Sequence, residues 1–251
     1  MKKLFMGLAI LAMVALSANA MALPVNQVAS GSLTGAGLIT FDDVAGGFAP
    51  GTNYDAVFES NGADFGERFA GQTLTTAGDF DILSGSPTSS LSLAVGFAGQ
   101  NLNVFNNGGT GQQVLTGLGP RGFPDYSAIG EGSFAVLFDF DQSEFGFDLV
   151  GGNGGTAFVD FFQRDGSLIS SITLAGLSDQ SYAFARDGGI NDIAGISIYN
   201  NDGGGIGFDN LVHDVPGGPG GPSSVPEPAT ILLLGSGLFG LGFFGRKRIK
   251  G

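Results

Sequence analysis

Bulky apolar side chains stand at every second position in two segments in the middle of the chain, the first of which has Ala135, Leu137 and Asp139 between them. The alternating residues are Phe134, Val136, Phe138 and Phe140, and then Phe145, Phe147 and Leu149. Such alternation is typical of a strand with one buried face, whereas an amphipathic helix repeats its apolar residues every three to four positions. No convincing helical stripe is present between residues 23 and 215. The pattern therefore predicts a body built from β-strands.

Turn signals separate many short strand candidates. Arg164-Asp165-Gly166 lies between apolar segments at 156–162 and 167–174 and predicts a hairpin. Further strand candidates lie at 38–41, 56–58, 72–76, 91–95, 182–184, 196–198 and 206–208. We predict an all-β fold, a single jelly-roll-like β-sandwich whose core is supplied mainly by Phe. A β-helix is the alternative, and the lack of a fixed-period repeat disfavours it.

The N-terminus has the pattern of a signal peptide. Lys2 and Lys3 precede an uncharged apolar run at 4–16, and Ala18-Asn19-Ala20 offers a cleavage site, with Ala20-Met21-Ala22 as a second choice. The run is too short for an ordinary membrane span. We therefore predict a signal peptide over residues 1–22, with an uncleaved anchor as the alternative.

The C-terminus has three parts in a fixed order. They are Val225-Pro226-Glu227-Pro228, an uncharged apolar run at 229–245, and the basic residues Arg246, Lys247 and Arg248 in a cluster that extends to residue 250. A helix over the apolar run would be about 25 Å long, at the short end for a bilayer core of about 30 Å. We predict a transmembrane helix whose basic end stays in the cytoplasm. A Pro/Gly/Ser linker at 216–224 separates it from the body at 23–215.

Together these three parts resemble the PEP-CTERM sorting signal, also catalogued as the ice-binding-protein C-terminal domain. The resemblance covers residues 225–251. It implies recognition by exosortase, a membrane protease that cleaves near the Pro-Glu-Pro motif. It also implies a transient inner-membrane anchor, followed by a place on the cell surface or in the extracellular matrix of a Gram-negative bacterium that makes exopolysaccharide. A plain C-terminal anchor with a chance Pro-Glu-Pro is the alternative.

Charge excludes several partners for the body. Residues 23–224 contain four Arg, no Lys and 22 Asp and Glu, which gives a net charge of −18. Such a surface repels nucleic acid and anionic lipid, so neither is an expected partner. The chain has no cysteine, which excludes disulfides and thiolate metal sites.

Calcium is a candidate cofactor at the ends of the body. Asp42 and Asp43 end the first strand candidate, and Asp209 and Asn210 lie in the last one. The first and last strands of jelly rolls often lie side by side, and their oxygen ligands could then hold one calcium ion. The alternative is that these side chains cap turns and face water.

No catalytic residues can be assigned. His213 is the only histidine and no Gly-x-Ser-x-Gly elbow occurs, so we interpret His213 as an ordinary residue at the end of a strand. Three functional classes follow, in order of preference. They are a non-enzymatic surface or matrix protein associated with exopolysaccharide, a carbohydrate-binding jelly roll with a structural calcium, and a hydrolase with an acidic site.

Overall fold

The computed structural model describes residues 23–108 and 112–216, and these residues fold into antiparallel β-sheets. The helical elements among them are three 3₁₀ turns, at Ser30–Ser32, Tyr126–Ala128 and Asp187–Gly189. Within the described residues, no helix has the length and apolar character needed to cross a membrane. The predicted signal peptide at 1–22, the linker from residue 217 onward and the sorting tail lie outside the described residues.

Eighteen strands are present in the described part of the chain. They are β1 (Val25–Val28), β2 (Gly37–Ile39), β3 (Thr52–Tyr54), β4 (Phe58–Ser60), β5 (Ala63–Gly66), β6 (Arg68–Phe69), β7 (Thr73–Ala77), β8 (Phe80–Ser84), β9 (Leu93–Ala94), β10 (Leu102–Asn106), β11 (Gln113–Gly117), β12 (Phe134–Gln142), β13 (Glu144–Asn153), β14 (Thr156–Phe162), β15 (Leu168–Ala175), β16 (Ser178–Arg186), β17 (Ile193–Asn200) and β18 (Gly207–His213).

Two large sheets contain most of these strands. The first has the order β1-β16-β13-β18-β11-β10-β3, and β2 also pairs with β18. The second has the order β15-β14-β17-β12-β5-β4. Two smaller pairings, β6 with β9 and β7 with β8, complete the sheets of the described residues. The all-β prediction is therefore confirmed.

The chain crosses from one large sheet to the other at Ser143. β12 ends at Gln142 in the second sheet, and β13 begins at Glu144 in the first. The backbone N–H and the hydroxyl of Ser143 both donate to Asp214 Oδ2, at 2.6 and 2.9 Å, and hold this corner. Because the two strands lie in different sheets, their alternating phenylalanines meet in the core rather than side by side in one sheet.

Phenylalanine rings join the two large sheets. Phe134 on β12 contacts Phe208 on β18 with ring centroids 4.5 Å apart, and Phe161 on β14 contacts Phe184 on β16 at 5.2 Å. All four rings are buried, and burial of such rings is the main source of core stability. The described residues form a β-sandwich-like body, while the jelly-roll connectivity stays a prediction.

The predicted hairpin is present. β14 and β15 pair antiparallel around Asp165 and Gly166. Gly166 has a φ of +85°, a conformation that glycine adopts without steric cost, and Ser167 N–H donates to Asp165 Oδ1 at 2.9 Å. The Asp-Gly pair therefore forms the hairpin turn that the sequence predicts.

Candidate functional site

The strand pairing that the calcium prediction requires is present. β2 and β18 are antiparallel neighbours, with Ile39 opposite Leu211. Asp42 and Asp43 lie in the turn that follows β2, and Asp209 and Asn210 lie within β18. The pairing thus brings the candidate residues to one region of the body from opposite ends of the sequence.

A β-bulge at Asn210 sets the direction of its side chain. Asn210 and Leu211 together face Phe147, between the pairs Gly146–Val212 and Asp148–Asp209. Asn210 has a φ of +48°, which few residues other than glycine and asparagine adopt. Its Nδ2 donates to Asp148 Oδ2 at 2.9 Å. The bulge therefore adds Asp148, which the sequence did not indicate, to the candidate residues.

The four candidate calcium ligands have different hydrogen-bonding and electrostatic partners. Asp43 Oδ1 accepts a hydrogen bond from the Ser60 hydroxyl at 2.6 Å. Burial, with the nearby charges of Asp42 and Asp148, raises the pKa of Asp209 to about 6. Among the described residues, no three His, Asp or Glu side chains converge in an arrangement that could hold a metal ion. The structure thus places Asp42 within electrostatic reach of Asp209, while Asp43 contacts Ser60, and the calcium site stays a prediction.

Three buried carboxyls, Glu67, Asp81 and Glu131, lie around the segment 131–133, and the sequence did not indicate them as a group. Their exposed fractions are 0%, 2% and 8%. Glu131 O accepts from Asp81 N–H at 3.1 Å, and the hydroxyl of Ser133 donates to Glu67 O at 3.1 Å. Ser133 N–H also donates to Asp81 Oδ2 at 3.3 Å. Distant segments of the chain therefore enclose acidic side chains that ordinarily face water.

Burial is the main cause of their altered acidity. It raises the pKa of Glu67 to about 7, against the opposing effect of the Arg68 charge. It raises the pKa of Asp81 to about 6, and it raises the pKa of Glu131 to about 7 with a further contribution from Asp79. A carboxyl whose pKa is raised by folding binds its proton more tightly in the folded state, so protonation stabilises the fold.

We expect the protein to be more stable at pH 5 than at pH 8. The stabilisation from the three buried carboxyls is complete below the pKa of the unfolded chain and is lost as the pH rises through about 6 to 7. His213 opposes this trend because burial lowers its pKa, but Asp209, whose pKa is also raised to about 6, acts in the same direction as the three buried carboxyls. The melting temperature should fall by about 4 °C or more, since one pKa unit is worth about 1.4 kcal/mol and 1 kcal/mol shifts a domain of this size by about 2–4 °C.

A matched pair of variants isolates the cause of this pH dependence. Glu131→Gln removes one buried charge and should flatten the fall in melting temperature between pH 5 and pH 8. Glu59→Gln changes an exposed glutamate and should leave the fall unchanged. A melting temperature that rises from pH 5 to pH 8 in the unmodified chain would contradict the expected effect of the buried carboxyls.

His213 is part of the core. It is the last residue of β18, it is 3% exposed, and its ring stacks near Phe138 with centroids 5.9 Å apart. Burial lowers the pKa of the imidazole. Its position agrees with the interpretation of His213 as an end-of-strand residue.

Comparison with known proteins identifies the tail. The family model of the PEP-CTERM protein-sorting motif matches residues 224–248. That span contains the Pro-Glu-Pro motif, the apolar run and the basic residues up to Arg248. No curated protein and no solved structure matches the chain.

The PEP-CTERM motif marks an exported protein that exosortase sorts and that a C-terminal segment anchors transiently in the membrane. The chain is a PEP-CTERM sorting domain-containing protein.

Proposed function

We propose that the protein is a non-enzymatic component of the cell surface or extracellular matrix of a Gram-negative bacterium, where it associates with exopolysaccharide after exosortase has processed its tail. The observation that carries this proposal is the match of residues 224–248 to the PEP-CTERM motif, directly after a linker rich in Pro, Gly and Ser. A linker of this composition would give a membrane protease access to the junction between body and tail.

The character of the body supports a place outside the cell. Residues 23–224 carry a net charge of −18, and a large net charge keeps a protein soluble and dispersed. The core is held by buried phenylalanines, so the fold needs no disulfide. The single histidine packs against Phe138. These features suit a stable structural component of a matrix.

Fractionation of cells tests the association with exopolysaccharide. In cells that make the polymer, we expect the processed body to sediment with the matrix. In cells that lack polymer synthesis but keep exosortase, we expect the processed body in the soluble medium. The same distribution in both strains would contradict the association, while leaving the sorting step intact.

A second candidate, a carbohydrate-binding jelly roll with a structural calcium, is favoured by the pairing of β2 with β18. That pairing brings Asp42 within electrostatic reach of Asp209, and oxygen ligands of this type suit calcium. On this proposal, EDTA lowers the melting temperature of the protein, excess Ca²⁺ restores it and Mg²⁺ does not. A melting temperature that EDTA leaves unchanged, in a purified chain without bound metal, would remove the calcium proposal.

A further inference from the structure

A cleft of about 390 Å³ lies between the start of β7 and the segment that follows β9. Its lining includes Arg68, Gln72, Thr73, Leu74, Gly96 and Phe97. The pairing of β6 with β9 brings this lining together, because it sets Arg68 opposite Ala94 and lets the Arg68 guanidinium donate to Val95 O at 3.2 Å. The volume falls in the range of roughly 300–1,000 Å³ that is usual for small-molecule sites.

The polar side of the cleft includes the Arg68 guanidinium, which pairs with a buried glutamate behind it. Arg68 is partly exposed and pairs with Glu67, whose side chain is fully buried. Glu67 Oε1 has no hydrogen-bond partner, although buried polar atoms normally have one. A Cβ atom on Gly96 would collide with this oxygen, so Oε1 is directed at the glycine in the cleft wall. Glu67 is fully buried and does not line the cleft, so the guanidinium of Arg68 supplies the hydrogen-bond donors of this pair at the cleft.

A firmly held Gln72 lies beside this ion pair. Its Oε1 accepts from Phe69 N–H at 2.9 Å, and its Nε2 donates to the Ser197 hydroxyl at 3.1 Å. Asp81, the other charged group near Glu67 and Arg68, is 2% exposed. The polar groups of the cleft are thus fixed before any ligand arrives, which lowers the cost of binding.

The opposite side of the cleft is aromatic. The Phe97 side chain is 78% exposed, although a phenylalanine of this size ordinarily gains from burial. Its loop is anchored at Gly99, whose N–H donates to Asp55 Oδ1 at 2.6 Å and whose carbonyl accepts from Phe123 N–H at 2.6 Å. An exposed ring on an anchored loop is a preformed stacking surface.

We propose that this cleft binds a neutral saccharide unit, with its C–H face against Phe97 and its hydroxyl oxygens accepting hydrogen bonds from the Arg68 guanidinium. A sugar hydroxyl oxygen accepts hydrogen bonds, which matches the several N–H donors of the guanidinium. The net charge of −18 on residues 23–224 disfavours an anionic ligand. The inference rests on the proposed association with exopolysaccharide and names the kind of sugar and the residues that meet it.

Binding of defined sugars to the full-length chain tests this inference. The chain is purified in a zwitterionic detergent that carries no sugar, since glycoside detergents would compete. The probes are the neutral trisaccharides of cellulose, amylose, chitin and laminarin, with trigalacturonic acid as the anionic comparison, and calorimetry gives Kd. We expect at least one neutral trisaccharide to bind saturably and the anionic one to bind more weakly.

Three variants locate the binding. Phe97→Ala should raise Kd about tenfold, because the stacking surface is lost, and Phe97→Tyr should restore most of the affinity. Phe48→Ala is the matched control, since Phe48 is 85% exposed and does not line the cleft. Neither alanine variant should lower the melting temperature, because both rings are exposed.

Two results would overturn the proposal. One is the absence of binding by every neutral trisaccharide at its solubility limit. The other is binding that Phe97→Ala leaves unchanged or that Phe48→Ala weakens equally. Because binding is measured on the purified chain, either result leaves exosortase processing and the cell fractionation untouched, so a failure of the cleft is distinguishable from a failure of the proposed function.

Discussion

Replacement of Pro226, Glu227 and Pro228 by alanine is expected to leave the full-length chain in the inner membrane. These residues form the Pro-Glu-Pro element of the sorting motif matched at 224–248. Without them exosortase has no recognition element, while the apolar run at 229–245 still anchors the chain and its basic end still resists translocation. Immunoblots of membrane and released fractions should show an almost complete loss of the processed form.

The linker supplies a matched control for this experiment. Pro219 and Pro222 lie just before the motif in a similar local composition. Their replacement by alanine should leave processing and release at the level of the unmodified chain. Normal processing of the Pro-Glu-Pro variant would contradict the sorting role, and a plain membrane anchor would then be the better interpretation.

Phe208→Ala should strongly lower the free energy of unfolding of the body. The Phe208 ring is 2% exposed and contacts Phe134 at 4.5 Å and Phe147 at 5.0 Å, so it lies where the two large sheets meet. Truncation of a fully buried phenylalanine costs about 3–5 kcal/mol. In a body of this size the melting temperature should fall by about 10 °C, as measured by circular dichroism.

Phe48→Ala is the control for this loss of stability. Phe48 is 85% exposed, so removal of its ring opens no cavity, and its effect should stay within about 0.5 kcal/mol. Equal melting temperatures for Phe208→Ala and Phe48→Ala would contradict a core in which phenylalanines join the two sheets.

The strands were predictable where one face of a strand is uniformly apolar. Phe134, Val136 and Phe138 stand at every second position and are buried in β12, where the intervening Ala135 is buried as well. Alternation reports which face is buried, but it does not report which sheet a strand joins. The crossing at Ser143, which places β12 and β13 in different sheets, depends on contacts with the distant Asp214.

The sequence pattern did not predict strands that contain buried polar residues. In β10, Leu102 and Val104 are buried, but Asn103 between them is buried as well. Asn103 Nδ2 donates to Pro50 O at 2.7 Å, so the buried amide nitrogen has a partner far away in sequence. The amide obscures the period-two pattern because the sequence does not reveal that partner.

The candidate sites likewise include residues that the sequence predicts and residues that it does not. The adjacency of Asp42 and Asp209 could be anticipated, because terminal strands of a sandwich often pair. The contribution of Asp148 could not, because it depends on the register of β13 against β18 and on the bulge at Asn210. The buried Glu67 stands beside Arg68 in the sequence and gives no local sign that distant segments cover it.

Mass spectrometry of the protein from cells with and without exosortase tests the central claim most directly. With exosortase, we predict a mature chain that begins near residue 21 or 23 and ends near the Pro-Glu-Pro motif, recovered outside the inner membrane. Without exosortase, we predict a chain that retains its C-terminus at Gly251 and stays in the inner membrane. An identical C-terminus and location in both strains would contradict the account.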